Sequence, residues 1–129
     1  GIRFINDSKG TNTGASETAV RSVCTNGRLF LLAGGESKGA DLGRWAEVVK
    51  AHCYHVFVYG KDRDRFAAIL GPHATVVETL DRAFECAVAD ASEGDVVLLS
   101  PACASFDQFS SYEERGHHFR HLVEINYEV

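Results

Sequence analysis

The chain has 129 residues, is 45% hydrophobic and 24% charged, and carries a formal charge of -5. That length supports one domain with a full core, and the acidic balance excludes the electrostatic footprint of a nucleic-acid binder. No apolar run reaches the length of about 18 residues that a membrane span needs.

The absence of Met and the start at Gly1 suggest a domain taken from a longer chain. Cys24, Cys53, Cys86 and Cys103 form no CxxC pair, which predicts free thiols in a reducing compartment. Residues 2–6 read as a short strand. A helix follows over 14–24, with Ala15, Ala19, Val20 and Val23 on one face, a cap at Asn12 or Thr13, and Glu17 in its first turn. Leu29-Phe30-Leu31-Leu32-Ala33 is continuously apolar, as a parallel strand buried on both faces requires. Asp41 is placed to cap a helix running to His52, with Leu42, Trp45, Ala46 and Val49 inward.

The pattern then repeats. Strands are expected at 55–59, 74–78 and 95–100, and helices at 62–70, 80–90 and from about Gly116 to Tyr127. The stretch Asp62-Arg63-Asp64-Arg65 reads as an exposed, charged helix start. Strands alternating with helices predict an α/β fold, a Rossmann-like three-layer domain with a mostly parallel sheet of five to six strands.

In such a sheet ligands sit outside the carboxyl ends of the strands. Three loops leaving those ends are unusually polar or glycine-rich: 7–13, 34–41 and 100–112. If they converge, they gather Asp7, Lys9, Thr11, Lys38, Ser105 and the backbone around Tyr112. The first loop offers a carboxylate, hydroxyls and a cation, although ordinary turns use the same residues. The second, Gly34-Gly35-Glu36-Ser37-Lys38-Gly39, lets backbone approach a ligand and supplies a point charge for a carboxylate or phosphate. It has neither the G-x-x-x-x-G-K-[ST] nor the G-x-G-x-x-G spacing, which argues against a P-loop and a dinucleotide oxidoreductase. In the third, small residues from Ser100 to Ser105 let amides face an anion, and Cys103 is better read as a small structural residue than as a nucleophile. His117 and His121 have the i, i+4 spacing of a helical metal pair, but no Glu completes an H-E-x-x-H frame, and a solvated helix face accounts for them.

Ile5-Asn6-Asp7-Ser8-Lys9-Gly10-Thr11-Asn12 and Ser100-Pro101-Ala102-Cys103-Ala104-Ser105-Phe106-Asp107-Gln108-Phe109 resemble the Mur ligase family. The glycine loop with Lys38 and the closing Tyr112-Glu113-Glu114-Arg115-Gly116 agree with it, and the two motif loops together with Lys38 favour a D-glutamate-adding member. The likeness covers residues 1–129 as one C-terminal, amino-acid-positioning domain. Gly10 stands where that family is expected to have Ala, Phe106 where it has Leu, and Tyr112 where it has Phe.

The resemblance implies a cytoplasmic, ATP-dependent bacterial ligase of peptidoglycan synthesis that joins D-glutamate to UDP-N-acetylmuramoyl-L-alanine through an acyl phosphate. It implies ATP and Mg2+ held mainly by a central domain, and a UDP site in an N-terminal domain, neither within this stretch. The fragment alone would then bind and position without turnover. By the same likeness Asp7 and Lys9 face the nucleotide. Thr11 and Lys38 hold one carboxylate of D-glutamate, and Ser105 and the Tyr112 amide hold the other. The alternatives are another Mur ligase, a folylpolyglutamate synthetase-like ligase with a different incoming amino acid, and a stand-alone nucleotide- or anion-binding module.

Overall fold

The computed structural model describes residues 1–37, 39–103 and 109–127, with side chains through Ile125. Five strands, β1 (Arg3–Asn6), β2 (Leu29–Gly34), β3 (His55–Tyr59), β4 (Ala74–Val76) and β5 (Val96–Leu99), alternate with helices. The helices are α1 (Thr13–Ser22), α2 (Gly43–His52), α3 (Arg63–Leu70), α4 (Leu80–Asp90) and α5 (Tyr112–Tyr127). The sheet is parallel throughout, in the order β1-β5-β2-β3-β4.

Strand β2 shows why its sequence reads as an unbroken apolar run. Every residue from Leu29 to Gly34 is buried, because successive side chains enter different cores. Leu29, Leu31 and Ala33 join Val20, Trp45, Val49, Phe66 and Leu70 beneath α1, α2 and α3. Phe30 and Leu32 join Leu80, Phe84, Ala87, Phe119 and Leu122 beneath α4 and α5. Trp45 meets Phe66 edge-on on the first face, and Phe84 meets Phe119 edge-on on the second, the offset geometry that aromatic quadrupoles favour.

This layering positions the site. The loops after β1 and β2 lead to helices on one face, and the loop after β5, the strand between them, leads to α5 on the other. Connections that diverge from neighbouring strands open a crevice at their carboxyl ends.

Several expected boundaries move. Asp41 does not cap α2. Leu42 occupies that position without a side-chain bond, while Asp41 Oδ1 accepts the Gly43 N–H at 2.9 Å. Asn12 caps α1 through the Ala15 N–H, but the first turn holds no acid, because α1 starts at Thr13 and Glu17 lies one turn on, paired with Arg44 at 3.0 Å. Helix α5 starts at Tyr112, not Gly116. The earlier start follows from Ser111, whose Oγ accepts the Glu114 N–H at 3.2 Å, half of a Ser-x-x-Glu capping box. The Glu114 carboxylate is held below its ordinary range by the Ser110 hydroxyl and then by the Ser110 N–H. Among the described residues no helix is long and apolar enough to cross a membrane.

Candidate functional site

The three polar loops meet at the carboxyl ends of β1, β5 and β2. Asp7 extends β1 by one rung, its N–H donating to the Leu99 carbonyl at 2.7 Å. The chain then folds tightly. Gly10 N–H donates to Asp7 O at 2.8 Å and Thr11 N–H to Lys9 O at 2.6 Å. The third loop closes onto the first, since Ala102 N–H donates to Gly10 O at 2.7 Å, and onto the second, since Gly34 N–H donates to Pro101 O at 3.1 Å. Ala102 holds φ 72 to make that turn, a left-handed backbone that costs an alanine about 1–2 kcal/mol. The buried Cys103 Sγ points at Gly34 O, 3.1 Å away, as a small structural residue does.

Side chains lock the same loops. Ser100 Oγ donates to Asp7 Oδ2 at 2.8 Å. Asn6 Nδ2 donates to the Gly116 carbonyl at 2.9 Å, and Ser8 Oγ to the Tyr112 carbonyl at 2.5 Å. A cleft of about 360 Å³ lies between these partners. Asp7 and the exposed Lys9 line one wall, and Tyr112, Glu113 and His117 the other. Thr11 is half-buried beside it in sequence. Tyr112 is the first residue of α5, where helical N–H groups have no intrahelical acceptor and favour anions.

The structure therefore brings Asp7, Lys9 and Tyr112 to one cleft, with Thr11 on the same loop. Lys38 and Ser105, with Phe106 beside the latter, lie outside the described residues. The exposed His117 lines the cleft, while its neighbour His118 pairs across to Asp81.

The stretch Asp62-Arg63-Asp64-Arg65 is not merely a solvated helix start. Asp62 Oδ2 accepts the Ser37 N–H at 2.6 Å and the Ser37 hydroxyl at 2.7 Å, and these bonds, hydroxyl first, hold its carboxyl below the ordinary range. Arg65 donates to Ser37 Oγ at 2.6 Å and to the Ala40 carbonyl. The glycine loop is thus pinned on both sides of position 38. Nothing local in the sequence signals this, because the partners lie 25 residues or more away.

A larger open cleft, about 590 Å³, borders His55, His73, Thr75, Cys86 and Asp90. It lies where β3 enters the sheet, away from the polar loops, and burial lowers the His55 pKa there.

Residues 1–103 match the model of the family described as Mur ligase, glutamate ligase domain. The chain belongs to that family. Among curated relatives it is 42% identical over 123 residues to the UDP-N-acetylmuramoylalanine--D-glutamate ligase of Baumannia cicadellinicola, covering 95% of this chain and 28% of that protein. It is 41% identical over 126 residues to the Pasteurella multocida ligase of the same name, covering 98% and 29%. This Mur ligase domain thus spans under a third of the length of those relatives. Among solved structures its fold resembles E. coli FolC in complex with ADP, with TM-score 0.64, 18% identity and coverage of 91% of this chain and 28% of that one. It also resembles a domain from a Haemophilus ducreyi protein described as a putative UDP-N-acetylmuramate:L-alanyl-gamma-D-glutamyl-medo-diaminopimelate ligase, with TM-score 0.54, 16% identity and coverage of 96% and 88%. A three-layer α/β Mur ligase domain is the architecture expected from the sequence.

Proposed function

We propose that this domain presents D-glutamate, and one edge of ATP, in a cytoplasmic ligase that joins D-glutamate to UDP-N-acetylmuramoyl-L-alanine. The observation that carries the reading is the identity of about 42% to D-glutamate ligases, extending over 95% of the chain and through all three converging loops. In this reading ATP phosphorylates the muramoyl-alanine carboxylate. The D-glutamate amine attacks the acyl phosphate, and phosphate leaves. The domain's share of that chemistry is positioning. Asp7 faces the nucleotide ribose and Lys9 the phosphate side. Thr11 and Lys38 take one carboxylate of D-glutamate, and Ser105 with the Tyr112 N–H takes the other. Two separated anchors suit a dianionic amino acid, because two charge-assisted contacts aim its amine.

The chemistry of the donor set supports this division. The first loop holds one carboxylate and one ammonium, enough to flank a nucleotide, while the chain has no G-x-x-x-x-G-K-[ST] phosphate cradle. The cradle, the magnesium ligands and the UDP site are assigned to the remainder of a longer enzyme. Closure of this domain over that remainder would exclude the water that hydrolyses acyl phosphates.

The test uses the full-length ligase with ATP, magnesium and UDP-N-acetylmuramoyl-L-alanine. Phosphate release should require D-glutamate and fail with L-glutamate, L-lysine or diaminopimelate. Lys38→Ala should raise the KM for D-glutamate by at least about tenfold, the loss of one charge-assisted contact. An unchanged KM would remove Lys38 from the pocket. A second reading, a ligase for another amino acid, would be established by release with a different amino acid. No release with any of them from folded enzyme would leave an anion-binding module.

A further inference from the structure

Arg115, in the first turn of α5, is 0% exposed, and none of the roles above uses it. Its Nε donates to Ser8 Oγ at 3.2 Å, its Nη2 to Ser8 O at 2.9 Å and its Nη1 to Cys103 O at 3.0 Å. All three acceptors are neutral. Burying a cation against carbonyls and a hydroxyl is a costly way to fill space, and an apolar side chain would fill it more cheaply. What the guanidinium adds is geometry, because its donors sit in a rigid planar fork. One arm of the fork reaches the loop after β1 and the other the loop after β5.

Ser8 extends the unit. Its Oγ receives the Arg115 Nε–H and donates to the Tyr112 carbonyl at 2.5 Å. Ser8 also lies between Asp7 and Lys9. The Asp7–Lys9 backbone, the Cys103 turn and the start of α5 are therefore clamped about one side chain.

We propose that Arg115 is a positioning residue that sets the spacing between the nucleotide-facing loop and the D-glutamate-facing start of α5, an inference that rests on the reading above. Loosening the clamp weakens the use of both substrates together. Changes at Lys9 or Lys38 weaken one each. A displacement of about 1 Å suffices to cost on the order of a hundredfold in rate.

The test is steady-state kinetics of the full-length ligase carrying Arg115→Lys or Ser8→Ala, with folded fraction and thermal midpoint measured in parallel. Lysine keeps the charge but replaces the fork by a point donor. Ser8→Ala leaves the Ser8 and Cys103 carbonyls for Arg115 and keeps the variant foldable should Arg115→Lys fail. The expected result for Arg115→Lys is a rise of about tenfold in KM for both ATP and D-glutamate, with kcat/KM falling on the order of a hundredfold. Ser8→Ala should raise both constants in the same direction, by a smaller factor. Unchanged KM values with a kcat that merely follows the folded fraction would overturn the proposal, as would a rise in one KM alone. A wild-type enzyme active with another amino acid and silent with D-glutamate would overturn only the substrate assignment, and the same pair of constants would then be read with that amino acid.

Discussion

A missing methyl group shapes the setting of Asp7. Gly10 occupies a position where the family resemblance predicts alanine, and its backbone is not left-handed, so φ does not require glycine. A Cβ there would lie 2.6 Å from both Asp7 Oδ2 and Ser100 Oγ. The hydrogen bond that turns Asp7 onto Ser100 therefore occupies the space an alanine would fill. Gly10→Ala should break that bond and leave the buried Ser100 hydroxyl without its acceptor, a loss of about 1–3 kcal/mol, while restricting the unfolded chain returns about 0.4–1 kcal/mol. The loss outweighs the gain. The thermal midpoint should therefore fall, and, on the proposed nucleotide contact, the KM for ATP should rise a few-fold as the Asp7 carboxylate, already at the cleft wall, loses its anchor. An unchanged KM for ATP would remove Asp7 from the proposed nucleotide contact. At this scale the loop that brings Asp7 and Lys9 to the cleft was legible, because one short stretch carries an acid, a cation and hydroxyls. Ser8, Asp62 and Arg115 were not, because each acts through partners remote in the chain, as far as 107 residues for Arg115 and Ser8.

Strands β2 and β5 are tied at their amino ends by one ion pair. Asp95, 4% exposed, accepts the Arg28 N–H at 2.8 Å, the Ser92 N–H at 2.8 Å and the Arg28 guanidinium at 2.9 Å. Arg28 also lies 4.7 Å over the Tyr54 ring and 5.1 Å over that of Phe30. The Arg28 N–H, then that of Ser92, lowers the Asp95 pKa below its ordinary value. A carboxyl depressed in the folded state stabilises fully above its unfolded pKa of about 3.9 and loses that contribution as pH falls through the lower folded value. Asp95→Ala should cost about 2–3 kcal/mol at pH 7, the scale of hydrogen bonds to a charged group. The gap from wild type, read by urea unfolding, should be constant from pH 7 to about 5 and shrink toward pH 3. A gap independent of pH would show that packing, not charge, carries it. The elements themselves were legible in outline, since buried parallel strands are apolar runs and helices show their inward face. Their ends were less so. The α5 start was missed because the Ser111-x-x-Glu114 signal sits among aromatic and charged residues that resemble loop.

Strand order was not legible at all, because parallel strands joined by helices carry no local mark of their neighbours. Strand β5 sits between β1 and β2, so the two cores and the site share one sheet. The sole tryptophan, Trp45, reports on the face opposite α5. Its fluorescence and far-ultraviolet circular dichroism should therefore follow one coincident transition in denaturant. A dichroism change that precedes the fluorescence change would mean that α5 and its face unfold separately. The burial of Cys53, which pushes its thiol up to about 12, belongs to the same core as Trp45, and a thiol reagent should reach it only within that transition.

Among the described residues β1 pairs with β5 and with no other strand. On the ribosome this gives the domain an order of events. The segment bearing Asp7 and Lys9 emerges early but has no rung to settle on until Val96–Leu99 has been synthesised, on the order of 5–20 s later at roughly 5–20 residues per second. A nascent chain that stalls short of β5 leaves the edge of β1 unpaired and holds no cleft between the polar loops. Synthesis of β5 and the docking of the loop that bears Asp7 and Lys9 become a single step.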